Sequence, residues 1–207
     1  MALKALMVDV DGVVIVHPNP GGWSANLERD LGVSAERLQK AFFRPHFADV
    51  VCGRAGLRER LTPVLREIAP AVTADALINY WFAEDAHLDR RLLDDLATLR
   101  AGGLELHLAT IQEHERARYL WNVLGLSQRF DAIHYAAEIG WAKPAPEFFQ
   151  AVEARTGFRG DEVLLIDDSA RNVESARALG WRAVLWTSGM HLEEALKPHL
   201  VFPYRGG

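Results

Sequence analysis

Two pairs of carboxylates follow short apolar runs in this 207-residue chain. In the first pair, Asp9 and Asp11 come directly after Leu6-Met7-Val8, and Gly12 follows them. Residues two apart in a strand point to the same side, so these carboxylates would repel each other unless a cation or a shared proton lay between them. Asp-Gly pairs also occur in solvated turns. A carboxylate that directly follows a buried strand instead favours a metal-binding or catalytic role.

The second pair, Asp167 and Asp168, closes another apolar run, residues 163–166. Capping of the next helix would account for one of these acids, but not for two at the same sheet edge as Asp9. Several carboxylates without a histidine cluster are typical of Mg²⁺ sites rather than zinc sites. Asn172, one turn further on, would either brace the loop or hold a metal-bound water.

A hydroxyl and a lysine lie between the two acidic pairs. Thr110 ends an apolar run just before a helix, where it would either cap the helix or help the backbone N–H groups to bind an anion. Lys143 precedes a helix that we expect to begin at Pro146. A lysine that meets several acids and a hydroxyl at one sheet edge would hold a phosphate and offset the repulsion between the carboxylates.

These residues need a parallel sheet to bring them together. Apolar runs typical of buried strands occur at residues 3–8, 104–109, 132–135, 163–166 and 183–186. Helical patterns lie between them, and Gly102, Gly125 and Gly180 follow the apolar stripes as stop signals. The alternation predicts an α/β fold with a Rossmann-like parallel sheet core and helices on both faces.

Residues 18–88 break that alternation and show only helical patterns. Ligands of open α/β sheets bind outside the carboxyl ends of the strands, which is the end from which this insertion leaves. We therefore expect a small all-helical cap at residues 16–88 over a core formed by residues 1–15 and 89–207.

Composition excludes several function classes. The net charge is −5 without a basic block, which argues against nucleic acid as a partner. No apolar run approaches the roughly 20 residues of a membrane span. Cys52 is the single cysteine, so neither an internal disulfide nor a zinc cage is expected. The N-terminal residues lack the apolar stretch of a signal peptide. These features predict a cytoplasmic protein that is a monomer or a weak homodimer.

The order Asp-x-Asp-Gly, Thr, Lys-Pro, Asp-Asp resembles the haloacid dehalogenase-like (HAD) superfamily, specifically its phosphatase branch with a helical cap after the first motif. The resemblance covers the whole chain, and residues 165–172 look especially like the fourth motif of the family. One departure lies after Thr110, where many relatives have asparagine and this chain has Ile111 and Gln112. This change alters the groups that the turn can offer to a phosphate.

The resemblance implies a Mg²⁺-dependent phosphatase that acts on a small phosphomonoester, such as a sugar phosphate. Asp9 would be the nucleophile, and Asp11 would be the general acid and base. Asp9, Asp168 and the main-chain carbonyl of Asp11 would hold Mg²⁺. Thr110 and Lys143 would bind the phosphate oxygens. Asp167 would orient a water or Lys143 without touching the substrate.

The resemblance also draws attention to the Gly53-Arg54 turn in the cap, which is similar to the specificity loop of the family and makes Arg54 a candidate substrate contact. A phosphomutase would use the same residues with a different cap. A phospho-accepting receiver or a catalytically silent interaction protein are further alternatives, although in receivers the acidic pair precedes the acceptor. Asp11 argues against a dehalogenase, which normally lacks this second aspartate.

Overall fold

The computed structural model of the protein describes residues 2–199. Its five strands are β1 (Ala5–Val8), β2 (Glu105–Thr110), β3 (Ala132–Tyr135), β4 (Val163–Asp167) and β5 (Arg182–Leu185). They form one sheet in the order β3-β2-β1-β4-β5, and every pair is parallel. The predicted α/β fold with a parallel Rossmann-like sheet is therefore confirmed, with strand bounds within two residues of those expected.

Strand β1 lies at the centre of the sheet, and all four of its residues are buried. Its uninterrupted apolar sequence is typical of such a strand. Met7 is in register with His107 of β2 on one side and with Leu165 of β4 on the other. Since all strands run in the same direction, their carboxyl ends meet at one edge of the sheet. The residues after β1, β2 and β4 are thereby brought together.

Six α-helices lie between β1 and β2, and five follow β2. The first group is α1 (Leu27–Leu31), α2 (Ala35–Leu38), α3 (Arg44–Val51), α4 (Leu57–Ile68), α5 (Ala74–Glu84) and α6 (Arg90–Ala101). The second group is α7 (His114–Arg118), α8 (Ala136–Ile139), α9 (Pro146–Thr156), α10 (Ala170–Ala178) and α11 (Leu192–Leu196). Two π-helical segments, Gln39–Phe43 and Tyr119–Val123, continue α2 and α7. None of the helices in residues 2–199 is long and apolar enough to cross a membrane.

Helices cover both faces of the sheet because alternate strand residues point to opposite sides. Leu6 and Val8 of β1 belong to one apolar cluster, which includes residues of α6 and α11. Ala5 and Met7 belong to another, which includes Phe148 of α9 and residues of α10. This double coverage explains why the strands are apolar runs without alternation.

Helices α1–α5 form a third apolar cluster of their own, which contains residues such as Phe42, Leu61 and Trp81. The chain enters and leaves this region through two segments that lie side by side. The Val16 amide donates to the His87 carbonyl at 3.0 Å, and the Asp89 amide donates to the Val14 carbonyl at 2.8 Å. The division into a core (1–15 and 89–207) and a cap (16–88) stays a prediction that agrees with this arrangement.

Candidate active site

Lys143 stands at the centre of the charged groups at the carboxyl edge of the sheet. Its Nζ lies 2.5 Å from Asp167 Oδ2 and 3.1 Å from Asp9 Oδ1, and it donates to the Ala109 carbonyl at 2.6 Å. The side chain is fully buried. Burial lowers the pKa of Lys143, but Asp9 and Asp167 outweigh this effect and hold the pKa above its usual value. The lysine is therefore a fixed positive charge between two acids.

Asp9 follows β1 directly and is also buried, with 7% of its surface exposed. The Val10 amide donates to Asp9 Oδ1 at 2.8 Å. Burial raises the pKa of Asp9 to about 7; Lys143 opposes this shift, whereas Asp167 and Asp11 add to it. Burial and the two neighbouring carboxylates therefore disfavour the ionised form of Asp9, which a bound cation would favour.

Three carboxylates converge at this edge closely enough to hold a metal ion. Asp9, Asp167 and Asp168 each offer an oxygen within 4.8 Å of the others, and Asp168 is the exposed member. Burial and the neighbouring Asp167 raise the pKa of Asp168. A set of hard oxygen ligands with one exposed member fits Mg²⁺, which keeps several of its own waters. The residues present therefore fit the ion that the sequence predicted.

The oxygens of Asp167 are already engaged by protein groups. Asn172 Nδ2 donates to Oδ1 at 2.9 Å and to Oδ2 at 3.1 Å, and the Ser169 amide donates to Oδ1 at 2.9 Å. Together with the ion pair to Lys143, these contacts indicate that Asp167 positions the lysine and that its oxygens are not free to bind a metal ion. Of the two roles that the sequence left open for Asn172, the structure shows the bracing contact.

Gly12 lets Asp168 approach the turn after β1. Its φ is +75°, and a Cβ atom at this position would lie 2.1 Å from Asp168 Oδ2. Any other residue would both strain the backbone and displace the carboxylate. Gly12 is thus required for the observed position of Asp168.

The carboxylate of Asp11 lies apart from the three that converge. Gln112 Nε2 donates to Asp11 Oδ2 at 2.7 Å. Burial raises the pKa of Asp11 to about 6 with a contribution from Asp85, whereas Arg116 and Gln112 oppose the shift. Among the described residues, Asp167 and not Asp11 completes the side-chain group around Asp9 and Asp168. This arrangement agrees with the main-chain carbonyl, rather than the carboxylate, as the ligand that Asp11 would supply, and that role stays a prediction.

Thr110 is the last residue of β2 and is fully buried. It does not cap the next helix, because Glu113 is the N-cap of α7 and its side chain accepts from the Glu115 and Arg116 amides. The capping explanation for Thr110 is therefore wrong. Thr110 Oγ1 lies 3.4 Å from Gln112 Nε2, and Ile111 lines the adjacent cavity. Thr110 thus reaches the site through Gln112 in this structure.

Two cavities open at this edge and share Asp11, Gly12 and Asp168 as a common wall. The first, which we call the lysine cavity, has a volume of about 410 Å³ and is also lined by Asp9, Lys143, Arg171 and Asn172. The second, which we call the linker cavity, has a volume of about 570 Å³ and is also lined by His17, Asn19, Asp85, Trp186, Thr187 and Ser188. A reacting ester could therefore place one end in each cavity.

The structure does not bring Arg54 to either cavity. Its side chain is exposed, with Nε 2.9 Å from Asp49 Oδ1 and Nη2 3.3 Å from the Ala48 carbonyl. The adjacent Gly53 has a φ of +71°, and a Cβ there would lie 2.3 Å from the carbonyl oxygen of Ala137 in α8. The Gly53-Arg54 turn therefore contacts α8, whereas Arg54 itself pairs with Asp49 in its own loop.

Gln112, Arg116 and Asp85 are site neighbours that the motifs did not reveal. Arg116 is 1% exposed; Nη1 donates to the Phe82 carbonyl at 3.0 Å, Nη2 donates to the Asp85 carbonyl, and Nη2 lies 3.4 Å from Asp85 Oδ2. The guanidinium also lies 5.2 Å from the Phe82 ring centroid. It joins α7 of the core to the end of α5. No sequence signal identified Arg116, because an arginine in a helix is usually a solvated charge.

Comparison with known proteins supplies the family context. Residues 3–180 match the family model described as haloacid dehalogenase-like hydrolase. A phosphoglycolate phosphatase of Pectobacterium atrosepticum is 25% identical over 203 residues, which are 95% of this chain and 85% of that protein. Three other phosphoglycolate phosphatases match over 41–45% of their own length.

Solved structures share the fold. A predicted HAD-like hydrolase of Porphyromonas gingivalis has a TM-score of 0.79 and 22% identity, covering 98% of this chain and 100% of that one. An HAD family enzyme of Bacteroides thetaiotaomicron, in complex with magnesium and inorganic phosphate, has a TM-score of 0.78 and 20% identity, covering 93% of this chain and 98% of that one.

Proposed function

The chain belongs to the haloacid dehalogenase-like hydrolase family, and from that premise we propose that it is a Mg²⁺-dependent phosphatase that hydrolyses a small phosphomonoester through an aspartyl-phosphate intermediate. The observation that carries this proposal is the cluster in which Lys143 Nζ lies between Asp9 and Asp167, with Asp168 alongside. The relatives named as phosphatases, and the magnesium and phosphate bound in a neighbour of the same fold, support it.

Asp9 is the nucleophile in this proposal. Two contacts on its Oδ1, from the Val10 amide and from Lys143, fix the orientation of the carboxylate. An Asp9 oxygen attacks phosphorus, an aspartyl–phosphate bond forms, and the bond from phosphorus to the ester oxygen breaks. Bound Mg²⁺, held by Asp9, Asp168 and the main-chain carbonyl of Asp11, supplies positive charge that offsets the repulsion between the carboxylate and the phosphate.

Asp11 is the general acid and base in this proposal. It gives a proton to the leaving ester oxygen, and then takes one from the water that attacks the aspartyl-phosphate and releases inorganic phosphate. Gln112 donates to Asp11 Oδ2, so Oδ1 is the oxygen left to carry the transferred proton. Gln112 is thus a positioning residue for Asp11. It belongs to the segment after Thr110 in which this chain departs from the usual second motif.

Phosphate binding falls to the lysine cavity. Lys143 and Thr110 would bind non-bridging oxygens as negative charge shifts onto them. Asp167 keeps Lys143 in place through the 2.5 Å ion pair, and Asn172 keeps Asp167 in place. Residues 16–88 act as the cap that covers the strand ends and governs access of the ester to the core.

The test is hydrolysis of a panel of phosphorylated metabolites and of nitrophenyl phosphate, with and without Mg²⁺. We expect chelation to abolish turnover and Mg²⁺ to restore it. Asp9→Asn should be inactive on every ester, since it removes the nucleophile whatever the leaving group. Unchanged turnover in excess chelator, or substantial turnover by Asp9→Asn, would overturn the proposal.

A further inference from the structure

The linker cavity has an unusual charge pattern for a site next to a phosphate. Three of the residues that line it carry carboxylates, Asp11, Asp85 and Asp168. Among the described residues that form its wall there is neither a lysine nor an arginine. Lys143 and Arg171 line only the lysine cavity. Within residues 2–199, the side of the site that would receive the leaving group therefore offers no lysine or arginine to pair with an anion.

The guanidinium of Arg116 does not supply the missing positive charge. Arg116 is almost completely buried, and its two terminal nitrogens already contact the Phe82 carbonyl and both the carbonyl and the carboxylate of Asp85. Binding an anion from the ligand would break these contacts and leave Asp85 without its counter-charge. A carboxylate placed in the linker cavity would lie beside Asp11, Asp85 and Asp168, and the charge of a bound Mg²⁺ would already be offset by Asp9, Asp168 and the phosphate, so the carboxylate would be costly at a partly desolvated site.

The same cavity offers groups that suit hydroxyls. His17 Nδ1 lies 3.0 Å from the Asn19 amide nitrogen and 3.1 Å from the Asn19 carbonyl oxygen, so it accepts from the first or donates to the second according to the tautomer, and Nε2 is then a donor or an acceptor, respectively. Nε2 is buried and has no hydrogen-bond partner among the described residues. Thr187 and Ser188 add exposed residues with hydroxyl groups to the wall. A buried ring nitrogen without a partner is uncommon in proteins, and a ligand hydroxyl satisfies it in either tautomer because a hydroxyl both donates and accepts.

We infer that the linker cavity binds an uncharged, hydroxyl-bearing leaving group, such as a small polyol or sugar, and that His17 is a specificity residue whose Nε2 forms a hydrogen bond with one of its hydroxyls. This inference rests on the proposed phosphatase function. It distinguishes the chain from the relatives named phosphoglycolate phosphatase, whose named substrate carries a carboxylate. The volume of about 570 Å³ lies in the range of small-molecule sites.

Matched pairs of esters test the inference, because each pair exchanges one hydroxymethyl group for a carboxylate. The pairs are 2-hydroxyethyl phosphate with phosphoglycolate, and glycerol 3-phosphate with 3-phosphoglycerate. We expect kcat/KM to be higher by about tenfold or more for the hydroxyl member of each pair. Equal or better use of the carboxylate member would overturn the inference, while leaving the phosphatase proposal intact. Failure to hydrolyse nitrophenyl phosphate as well would instead contradict the phosphatase proposal.

Two variants locate the effect in the linker cavity. Ser188→Lys adds the missing cation, so the ratio of kcat/KM values should move toward phosphoglycolate. His17→Phe should lower kcat/KM for 2-hydroxyethyl phosphate more than for nitrophenyl phosphate, and His17→Gln should restore part of the loss because it retains a hydrogen-bonding group. An unchanged ratio in Ser188→Lys would overturn the assignment of this cavity. Equal losses on both esters in His17→Phe would show that His17 is only structural.

Discussion

The two cavities meet at the same wall of Asp11, Gly12 and Asp168 but are built from different parts of the chain. The lysine cavity takes its charged groups from the strand ends, the loop before α9 and the start of α10, and it contains Lys143 and Arg171. The linker cavity is formed by the segment after β1, the end of the helical region and the loop after β5, without a lysine or arginine among its described lining residues. The sheet thus carries the groups for phosphoryl transfer, whereas connecting segments shape the side that selects the leaving group.

Loss of the central cation of the lysine cavity should have the largest effect. Lys143→Met leaves Asp9 and Asp167 buried without their shared counter-charge, so we expect loss of detectable turnover and a decrease in unfolding free energy of about 3–5 kcal/mol. Arg171→Met is the matched control, since Arg171 lines the same cavity but is exposed. Denaturant unfolding and turnover measure both effects. Equal stability losses in the two variants would contradict the distinction.

The common wall should be sensitive to a single methyl group. Gly12→Ala places a Cβ where Asp168 Oδ2 lies, so we expect the Mg²⁺ concentration for half-maximal activity to rise about tenfold or more. Gly32→Ala is the matched control, because Gly32 has a similar φ of +68° and nothing within 4 Å of its Cβ position. If the Gly32 variant showed the same shift in Mg²⁺ requirement, backbone strain rather than displacement of Asp168 would be its cause.

Removal of the amide that holds Asp11 should have a smaller and selective effect. Gln112→Leu loses the 2.7 Å hydrogen bond to Asp11 Oδ2, so kcat for alkyl phosphates should fall by about tenfold. Formation of the aspartyl-phosphate from nitrophenyl phosphate should fall less, because nitrophenolate departs without a proton. Rapid-quench measurements compare the two esters. An equal decrease for both would indicate that Gln112 supports the turn rather than the acid.

Arg54 lies outside both cavities and should matter least. Its exposed guanidinium is paired with Asp49, so Arg54→Ala should leave kcat/KM within about twofold for the ester that the enzyme uses best. Steady-state kinetics measure this change, with Arg29→Ala as a control at another exposed ion pair in the helical region. A large increase in KM limited to Arg54→Ala would show that the cap turn moves onto the substrate, as the family resemblance implied.

The contrast between the cavities also explains what the sequence could reveal. Asp9, Thr110 and Asp167 each follow an apolar strand directly, so the strand pattern was enough to place them at one edge. The linker cavity draws on residues near positions 17, 85 and 187, which lie in loops without periodicity and far apart in the chain. Only the packing of the connecting segments brings them together.

Some contacts were also ambiguous at the level of residue type. The family resemblance predicted the main-chain carbonyl of Asp11 as a metal ligand, but the contact of its carboxylate with Gln112 depends on a side-chain orientation that no spacing rule predicts. Thr110 was an equally good helix cap by sequence until the structure showed that α7 begins at His114, four residues later, with Glu113 as its N-cap. The Gly53-Arg54 turn was found in the expected region, yet the ion pair to Asp49 decides where its arginine points.

The most direct test of the account is the reaction of Asp11→Asn with nitrophenyl phosphate in the presence of Mg²⁺. The variant keeps the Asp9 carboxylate and the main-chain carbonyl at position 11, but it loses the proton donor and base. We predict a burst of about one equivalent of nitrophenolate followed by slow turnover, with a phosphoryl group on Asp9 that mass spectrometry of the quenched protein detects. Alkyl phosphates should give almost no product. Equal losses on both ester types, without a burst and without a phosphorylated Asp9, would contradict the division of labour between the two aspartates.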